Sequence, residues 1–289
     1  MSSSTPSDTF ISETIKQYTP RAANYDAANG GWHAELAHDF VAWLPPPKGG
    51  AVLDLACGTG LVTLAQAEAV GPDGVVVGMD VTAAMLDEAR RKTRPRDGGQ
   101  VQWVLADITD LSGLAAIQEV VTHRGGFDVI SCCSALVLLP DPGQNIQRWA
   151  NYLKPGTGKI IIDVPTEDHT LQYLSTGPLR RAMGKPFIFD REWVRNVHSL
   201  EELYENAGLE VAKSFRTRSY VPQRWWEADE AMKAFEEQSR TTFEWVMEDD
   251  ALLEKARQVW PTIWEQHLTQ DGKLWDGHAL YVSIGRRRQ

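Results

Sequence analysis

The chain has 289 residues, enough for one large or two small domains with a substantial core. Hydrophobic residues make up 43% and charged residues 24%, and no apolar run approaches the roughly 18 residues of a membrane-spanning helix, which excludes integral membrane and wholly disordered proteins. The net charge of -10 repels nucleic-acid phosphates and anionic lipid, so we expect neither a nucleic acid nor a membrane as a partner.

The first residues and the cysteines predict where the protein works. Residues 1–9 are polar and lack the basic start and apolar centre of a signal peptide, so we expect a disordered tail. The three cysteines are Cys57, Cys132 and Cys133. An odd number that includes an adjacent pair favours a reducing compartment and therefore a cytoplasmic protein.

A helical segment precedes the first predicted strand. Leu36, Phe40 and Leu44 recur at helical spacing and predict an amphipathic helix over residues 32–44. Three consecutive prolines from Pro45 then end it. We expect residues 10–50 to form an N-terminal helical lid.

Apolar, β-branched runs then alternate with helix-like segments. The predicted strands cover residues 51–55, 75–79, 101–105, 127–131 and 159–164. The predicted helices cover residues 60–70, 82–93, 112–122 and 143–153. This alternation is typical of an α/β protein with a doubly wound, mostly parallel sheet and helices on both faces, here with its core at residues 51–165.

The second half is less regular, and we divide it into four segments. They are a cap insertion (166–198), a core helix with the sixth strand (199–222), a tryptophan-rich helical cap (223–276), and a final strand with a basic tail (277–289). Ser199 and Glu202 predict a capping box at the start of a helix that ends at Gly208. Ala279 to Ile284 predict the final strand.

The tryptophan-rich segment holds six of the chain's eleven tryptophans, together with thirteen acidic and six basic residues. One helix face would carry Ala231, Met232, Phe235, Thr242, Trp245 and Val246. Two interpretations remain open: the tryptophans pack a core, or they form the wall of a ligand pocket.

A short loop of small residues is the most informative motif. Asp54-Leu55-Ala56-Cys57-Gly58-Thr59-Gly60 runs from the first strand through a tight turn into a helix. Such a loop lets a ligand approach the backbone and the free N–H groups at the helix start. Alone, the motif also fits a purely structural strand-to-helix corner.

Two acidic residues follow the next strands. Asp80 ends the second strand, twenty residues after Gly60, where a carboxylate can accept hydrogen bonds from both hydroxyls of a ribose. Asp107 ends the third strand, where it can accept from an adenine amine while Ile108 packs on the ring. Each acid could instead cap the next helix. Their shared place at the carboxyl ends of neighbouring strands favours a ligand site.

Together with four further pieces, this loop makes the chain resemble the class I S-adenosylmethionine-dependent methyltransferases, in a branch similar to the ubiquinone and menaquinone methyltransferases. The resemblance covers roughly residues 18–165. The further pieces are Asp80 with Met85-Leu86 and Ala89, Ala106-Asp107, Phe127-Asp128-Val129 and Leu153-Lys154-Pro155-Gly156. The resemblance implies a Rossmann-like sheet of seven strands with only the seventh antiparallel, and S-adenosyl-L-methionine as the cofactor.

The resemblance also implies roles for individual residues. Asp54 and the loop residues Ala56, Cys57, Gly58 and Gly60 would hold the methionine part of the cofactor, Asp80 the ribose, and Asp107 with Ile108 the adenine. Ala23-Asn24-Tyr25-Asp26 is similar to the family's N-terminal segment, in which the tyrosine folds over the cofactor. The other expected cofactor contacts are Tyr18, Val81, Met85 and Cys133.

The chain departs from the family at two places. Ala56 replaces the first glycine of the loop, which we expect to be a mild change. The segment Cys132 to Leu136 lacks the Asn/Asp-Pro-Pro-aromatic signature of relatives that methylate nitrogen in polymers, which favours a small-molecule substrate.

A dinucleotide-dependent oxidoreductase is the rival for the same fold. Its loop would carry a third glycine where this chain has Thr63, and it gives Asp54 no role, so we rank it below the methyltransferase.

Methyl transfer needs alignment and exclusion of water rather than a metal, and the histidines lack metal-ligand spacing apart from His33 with His38. A base would still help an oxygen or carbon nucleophile. The candidate bases are His33, His169, His198 and His278, with Tyr18 and Tyr25 as hydrogen-bonding residues. We rank His33 first and take His33 and Tyr25 as the catalytic candidates. A structural role is the alternative for each histidine, and packing is the favoured role for Cys132 and Cys133.

The predicted function is methyl transfer to a small apolar or aromatic metabolite at oxygen, carbon, nitrogen or sulfur. The lid and both insertions would then converge over the methyl donor. Two alternatives stay open: a rearrangement or cyclisation that uses the bound cofactor without methylation, and an inactive binding protein. We also expect Asp80→Ala to weaken cofactor binding far more than folding.

Overall fold

The computed structural model describes residues 6–94, 99–166, 171–185, 189, 191–238, 246 and 249–289. The chain divides into two compact units. The first unit comprises Met1–Thr166, Arg191–Thr217 and Leu280–Gln289, and the second comprises Glu167–Asp190 and Arg218–Ala279. Both insertions predicted from the sequence therefore fall largely in the second unit.

The described strands are, in chain order, β1 (Ala51–Leu55), β2 (Val75–Asp80), β3 (Gln100–Leu105), β4 (Val129–Cys132), β5 (Lys159–Pro165), β6 (Leu209–Arg216), β7 (Arg224–Glu227), β8 (Lys273–Asp276) and β9 (Leu280–Arg287). Seven of them form the sheet of the first unit in the order β3-β2-β1-β4-β5-β9-β6. Every residue of β1 and β2 is buried, as expected of strands covered by helices on both faces.

The described α-helices are α1 (Pro6–Tyr18), α2 (Trp32–Trp43), α3 (Leu61–Val70), α4 (Ala83–Lys92), α5 (Ala115–Arg124), α6 (Pro142–Ala150), α7 (Leu171–Leu174), α8 (Arg180–Ala182), α9 (Ser199–Asn206), α10 (Ala231–Gln238) and α11 (Asp250–Gln266). Helices α3 to α6 connect successive strands of the first unit, close to the ranges predicted from the sequence. The predicted doubly wound α/β fold is therefore confirmed.

The last two strands of this sheet run in opposite directions. Strand β9 lies between β5 and β6 and is antiparallel to both, so β6 is parallel to β5. Pro165 pairs with Leu280, and Arg216 pairs with Tyr281. The ends of β5 and β6 and the start of β9 thus share the carboxyl edge of the sheet, which confirms the expected antiparallel seventh strand.

The predicted disordered tail is wrong for residues 6–9, because α1 begins at Pro6. Proline fits the first turn of a helix, where its missing N–H is not needed. Phe10 and Ile11 follow in the same helix and line a pocket, so their packing stabilises a helix that its polar composition alone does not predict.

The predicted capping box at Ser199 is also wrong. Ser199 is the first residue of α9 itself, and its hydroxyl oxygen accepts hydrogen bonds from the N–H groups of Arg195 and Asn196. These donors lie in the turn that precedes the helix. Because the Ser199 hydroxyl accepts from them, it does not cap the helix. Gly208, just beyond the helix, has the positive φ of 78° expected after a helix end.

The second unit has a small sheet and its own core. Strands β7 and β8 pair antiparallel, so the segment predicted as a helical cap over residues 223–276 contains a small sheet in addition to α10 and α11. Trp225 lies opposite Trp275, and Trp226 opposite Leu274. Such aromatic and aliphatic cross-strand pairs stabilise short strands, which a search for helical spacing overlooks.

The described tryptophans of this segment mostly pack the core. Trp226, Trp260 and Trp264 are at most 1% exposed. The indole N–H groups of Trp260 and Trp264 donate to backbone carbonyls of Ala231 and Ala228, at 2.8 and 3.1 Å. Packing is therefore the role of these three, and none of them forms an exposed pocket wall.

Trp225 differs from these three buried tryptophans, because it is 52% exposed. Thr242 and Trp245, which we expected on one helix face, lie outside the described residues. No helix among the described residues is long and apolar enough to cross a membrane.

We expect Gly78→Ala to lower the free energy of unfolding by about 1–3 kcal/mol, the usual cost of overpacking. A Cβ at Gly78 on β2 would lie 2.6 Å from ring atom Cζ3 of Trp103 on β3. Urea unfolding measures the effect, and Trp103→Leu is the matched second change. If the double variant loses as much as the two single variants added together, the two side chains do not clash as the structure indicates.

Candidate functional site

The loop between β1 and α3 has a left-handed backbone at three positions. The φ angles are 53° at Ala56, 55° at Gly58 and 82° at Gly60. A Cβ added at Gly58 would meet no atom within 4 Å, whereas one at Gly60 would lie 2.5 Å from Cη2 of Trp103. Gly58 therefore leaves open space for a ligand beside the backbone, and Gly60 is required for packing.

Ala56 is a costlier departure from the family than we expected. A left-handed conformation brings the Cβ of an L-residue close to a carbonyl oxygen and costs about 1–2 kcal/mol, which glycine avoids. Ala56 also lines the pocket that Phe10 and Ile11 line, so its methyl group occupies space at the site.

Asp54 lies behind the loop rather than against the pocket. Its side chain is 1% exposed, and its two oxygens accept hydrogen bonds from the hydroxyls of Thr63 and Ser131, at 2.5 and 2.7 Å. Burial raises the pKa of Asp54 to about 6. These bonds join β1, α3 and β4, so the structure favours support of the loop over the expected contact with methionine.

Asp80 joins the loop to the end of β2. Its carboxylate accepts the N–H of Gly58 at 2.9 Å and the N–H of Thr82 at 2.7 Å. The side chain lines the pocket although the residue is only 8% exposed, and burial raises its pKa. Thr82, not Asp80, occupies the position before α4, so Asp80 is not the cap of that helix.

Asp107 reaches the same pocket from the end of β3. Its two oxygens accept the N–H and the hydroxyl of Thr109, at 2.8 and 2.6 Å. Next to it, Ile108 is buried, and its carbonyl accepts the indole N–H of Trp149 at 2.7 Å. The structure thus brings Asp80, Asp107 and Ile108 to one pocket, as the sequence predicted.

The pocket has a volume of about 60 Å³. Three of the residues that line it belong to α1: Phe10, Ile11 and Thr14. Sequence reasoning missed these three residues, whose only signal is an apolar pair within a polar stretch.

The other pocket-lining residues come from the ends of β1 to β3 and the segment after β4. They are Ala56, Val81, Thr109, Ala135, Leu138, Leu139 and Pro140. Met85, predicted as a cofactor contact, is 2% exposed within α4, so the structure places it in the core.

Tyr18, Tyr25 and His33 lie side by side. The ring centroids of the two tyrosines are 6.1 Å apart, and those of Tyr25 and His33 are 4.7 Å apart. Burial raises the pKa of both tyrosines, and the charge of Asp80 adds to each shift. The Tyr25 hydroxyl therefore keeps its proton and lies 3.2 Å from Nε2 of His33.

His33, which we ranked first among the candidate bases, is a weaker base in the structure than the sequence suggested. Burial lowers its pKa to about 4, against a smaller opposing effect of Asp26. A base with so low a pKa accepts protons poorly at neutral pH, so the structure favours a hydrogen-bonded structural role.

The other candidate bases have separate surroundings. Nδ1 of His198 lies 2.7 Å from Glu201 at an exposed site, and His278 belongs to the second unit. His169 lies outside the described residues. Burial raises the pKa of the Cys57, Cys132 and Cys133 thiols well above its usual range, in agreement with packing rather than thiolate chemistry.

A buried carboxyl supports the segment after β4. Ser134 has a φ of 54°, and its N–H and hydroxyl donate to Asp163 of β5, at 2.7 and 3.3 Å. Asp163 is fully buried, and this burial raises its pKa to about 7. The sequence pattern does not reveal this pairing, because Ser134 lies 29 residues from Asp163 along the chain.

Comparison with known proteins agrees with this geometry. A family profile described as a methyltransferase domain matches residues 52–156. Nocamycin O-methyltransferase of Saccharothrix syringae is 31% identical over 55% of this chain, and the match spans 53% of that protein. Demethylmenaquinone methyltransferase of Lactococcus lactis is 26% identical over 60% of this chain and 75% of its own length. The chain thus spans about half of the first of these relatives.

A solved structure extends the similarity of fold to almost the whole chain. Magnesium protoporphyrin IX methyltransferase from Synechocystis PCC 6803, solved with bound S-adenosylhomocysteine, aligns with a TM-score of 0.52. The alignment covers 97% of both chains at 14% sequence identity. At this identity the likeness concerns the fold.

We expect Asp80→Ala to impair both binding and folding, which corrects the sequence-based expectation that folding would barely change. Loss of the carboxylate leaves the N–H groups of Gly58 and Thr82 without their acceptor, at a cost of about 1–3 kcal/mol for a buried unsatisfied group. The dissociation constant of S-adenosylhomocysteine should rise about tenfold to a few hundredfold.

Urea unfolding and calorimetry measure the two effects. Asp110→Ala is the matched control, because Asp110 accepts the N–H of Ser112 at 2.9 Å in an exposed turn that does not line the pocket. Unchanged affinity in Asp80→Ala would show that Asp80 does not bind the ligand.

We expect Asp163→Asn to make stability less dependent on pH. The pKa of this carboxyl rises from its ordinary value of 3.8 to about 7 on folding, so its stabilising contribution is complete below 3.8 and is lost as the pH rises to 7. Asparagine cannot ionise and keeps an oxygen for the Ser134 N–H. Urea unfolding of both proteins at several pH values between about 5 and 8 tests this, and parallel curves would contradict it.

Proposed function

We propose that this chain, whose residues 52–156 match a methyltransferase-domain profile, is a class I S-adenosylmethionine-dependent methyltransferase and transfers a methyl group from that cofactor to a small molecule. The observation that carries the proposal is the convergence of the Gly58 opening, Asp80 and Asp107 at one edge of the sheet. This is the edge at which open parallel sheets bind their ligands.

The residues present fit the cofactor. The empty space beside Gly58 admits a ligand against the loop backbone, and Asp80 has further acceptor capacity for ribose hydroxyls beyond its two backbone bonds. Asp107 supplies an acceptor for an amine, and Ile108 supplies an apolar surface for a ring. We assign ribose to Asp80 and adenine to Asp107 with Ile108.

Methyl transfer requires the protein mainly to align the acceptor atom with the methyl group and to exclude water. Once bound, the cofactor supplies an activated methyl group. The side chains of Phe10, Ile11 and Leu138 line the pocket with apolar surface, which excludes water. Alignment of the acceptor atom then supplies much of the rate. The Tyr25 hydroxyl, which keeps its proton, serves as a hydrogen-bond donor beside this site.

We propose a small apolar or aromatic metabolite as the substrate. The names of nocamycin O-methyltransferase and demethylmenaquinone methyltransferase support this class. The net charge of -10 disfavours nucleic acid. Since no feature of the described residues favours rearrangement or cyclisation, methyl transfer is the single function that we propose.

We further propose a cytoplasmic location. All three cysteines are free thiols, and Cys57 and Cys132 are buried. Free thiols persist in a reducing compartment.

Calorimetry with S-adenosylmethionine and S-adenosylhomocysteine tests the cofactor assignment. We expect both to bind with dissociation constants in the micromolar range, and the nicotinamide dinucleotides not to bind. Failure of both sulfur compounds to bind at millimolar concentration would refute the proposal.

Transfer of tritium from methyl-labelled S-adenosylmethionine to a set of phenols and hydroxyquinones then tests the activity. The expected result is a labelled product with one equivalent of S-adenosylhomocysteine formed. Conversion of an acceptor without S-adenosylhomocysteine would point to a non-methylating reaction instead.

A further inference from the structure

One carboxylate ties the segment that carries Tyr25 to the glycine loop. Oδ1 of Asp26 accepts the hydroxyl of Thr59 at 2.5 Å, and Oδ2 lies 2.6 Å from Nζ of Lys92. The three residues belong to the N-terminal segment, to the loop after β1 and to the last turn of α4. We call them the Asp26 clamp.

The clamp is partly shielded from water. Thr59 is only 2% exposed, and the side chains of Asp26 and Lys92 are 38% and 30% exposed. A hydrogen bond to a charged acceptor in such surroundings is stronger than a bond between neutral groups at the surface. The clamp therefore holds its elements together more firmly than a fully exposed ion pair would.

Its position links it to the cofactor site on both sides. Thr59 stands between Gly58, whose N–H donates to Asp80, and Gly60, which packs against Trp103. Asp26 directly follows Tyr25, so fixing Asp26 also fixes the backbone that carries the Tyr25 ring. The Tyr25 side chain also has a hydrogen bond of its own, between its hydroxyl and Nε2 of His33. At 3.2 Å this bond is long.

We propose that Asp26 is a positioning residue which, through Thr59 and Lys92, holds the Tyr25 segment closed over the bound cofactor and thereby sets how slowly the cofactor leaves. This inference rests on the proposed function. Helix α1, which leads directly into the Tyr25 segment, lines the pocket with Phe10, Ile11 and Thr14, so this segment would have to open for the cofactor to enter or leave. Opening of that segment requires the clamp to break.

Loss of the clamp should change rates more than affinity. The cofactor passes the same segment when it enters and when it leaves, so loss of the clamp should accelerate both dissociation and association. We expect Thr59→Val to raise the dissociation rate of S-adenosylhomocysteine about tenfold, and Thr59→Ser, which keeps the hydroxyl, to restore it to near the parent value. Lys92→Met should accelerate dissociation, and Lys92→Arg should do so less.

Stopped-flow displacement of S-adenosylhomocysteine measures these rates on the full chain. Asp26→Ala, Thr59→Val and the double variant form a cycle in which the double variant should dissociate no faster than Asp26→Ala alone. Asp87→Ala is the control, since it removes an exposed ion pair with Arg90 on the same helix and should leave the rates unchanged.

The results separate this inference from the proposed function. If the parent protein does not bind S-adenosylhomocysteine, the proposed function fails. If the parent binds but Thr59→Val and Thr59→Ser dissociate at equal rates, the clamp has no role in holding the cofactor. A purely structural role would lower the melting temperature of both ligand-free and ligand-bound Thr59→Val equally, with no change in the dissociation rate.

Discussion

The carboxylate of Asp80 is the interaction on which the site depends. It binds the N–H groups of Gly58 and Thr82, and so joins the loop after β1 to the end of β2. The same group presents acceptor capacity to the pocket. Because this carboxylate fixes the loop in the folded protein, the proposed ligand would meet a loop that is already in place, which reduces the ordering cost of binding.

Behind this carboxylate, two further buried acids hold the edge of the sheet. Asp54 joins β1 to α3 and β4, and Asp163 supports Ser134 after β4. Burial raises the pKa of both carboxyls, because removal from water disfavours the charged form, and their hydrogen bonds partly oppose this shift. This edge of the sheet thus contains two buried acids, Asp54 and Asp163, that do not line the pocket, besides Asp80 and Asp107, which do.

Local rules were enough to predict the sheet and the pocket from the sequence. Strand and helix alternation located the parallel sheet, and the positions of Asp80 and Asp107 at strand ends located the pocket. Prediction failed where distant residues decide the outcome. The role of Asp54 depends on Ser131, 77 residues away, and the low proton affinity of His33 depends on burial. The serine at position 199 accepts from donors upstream of its helix, which no spacing rule shows.

The second unit is assembled from two separate stretches of chain. The N–H of Leu171 donates to the carboxylate of Asp276 at 3.3 Å, across 105 residues. Leu171 and Leu174 share a core with Trp226 and Trp260 of the later stretch. During synthesis the earlier stretch therefore leaves the ribosome long before its partners exist, while β6 and α9 emerge in between. The apolar side chains of that stretch therefore remain exposed to water and to other proteins until the later stretch, with its tryptophans, has been synthesised and packs on them.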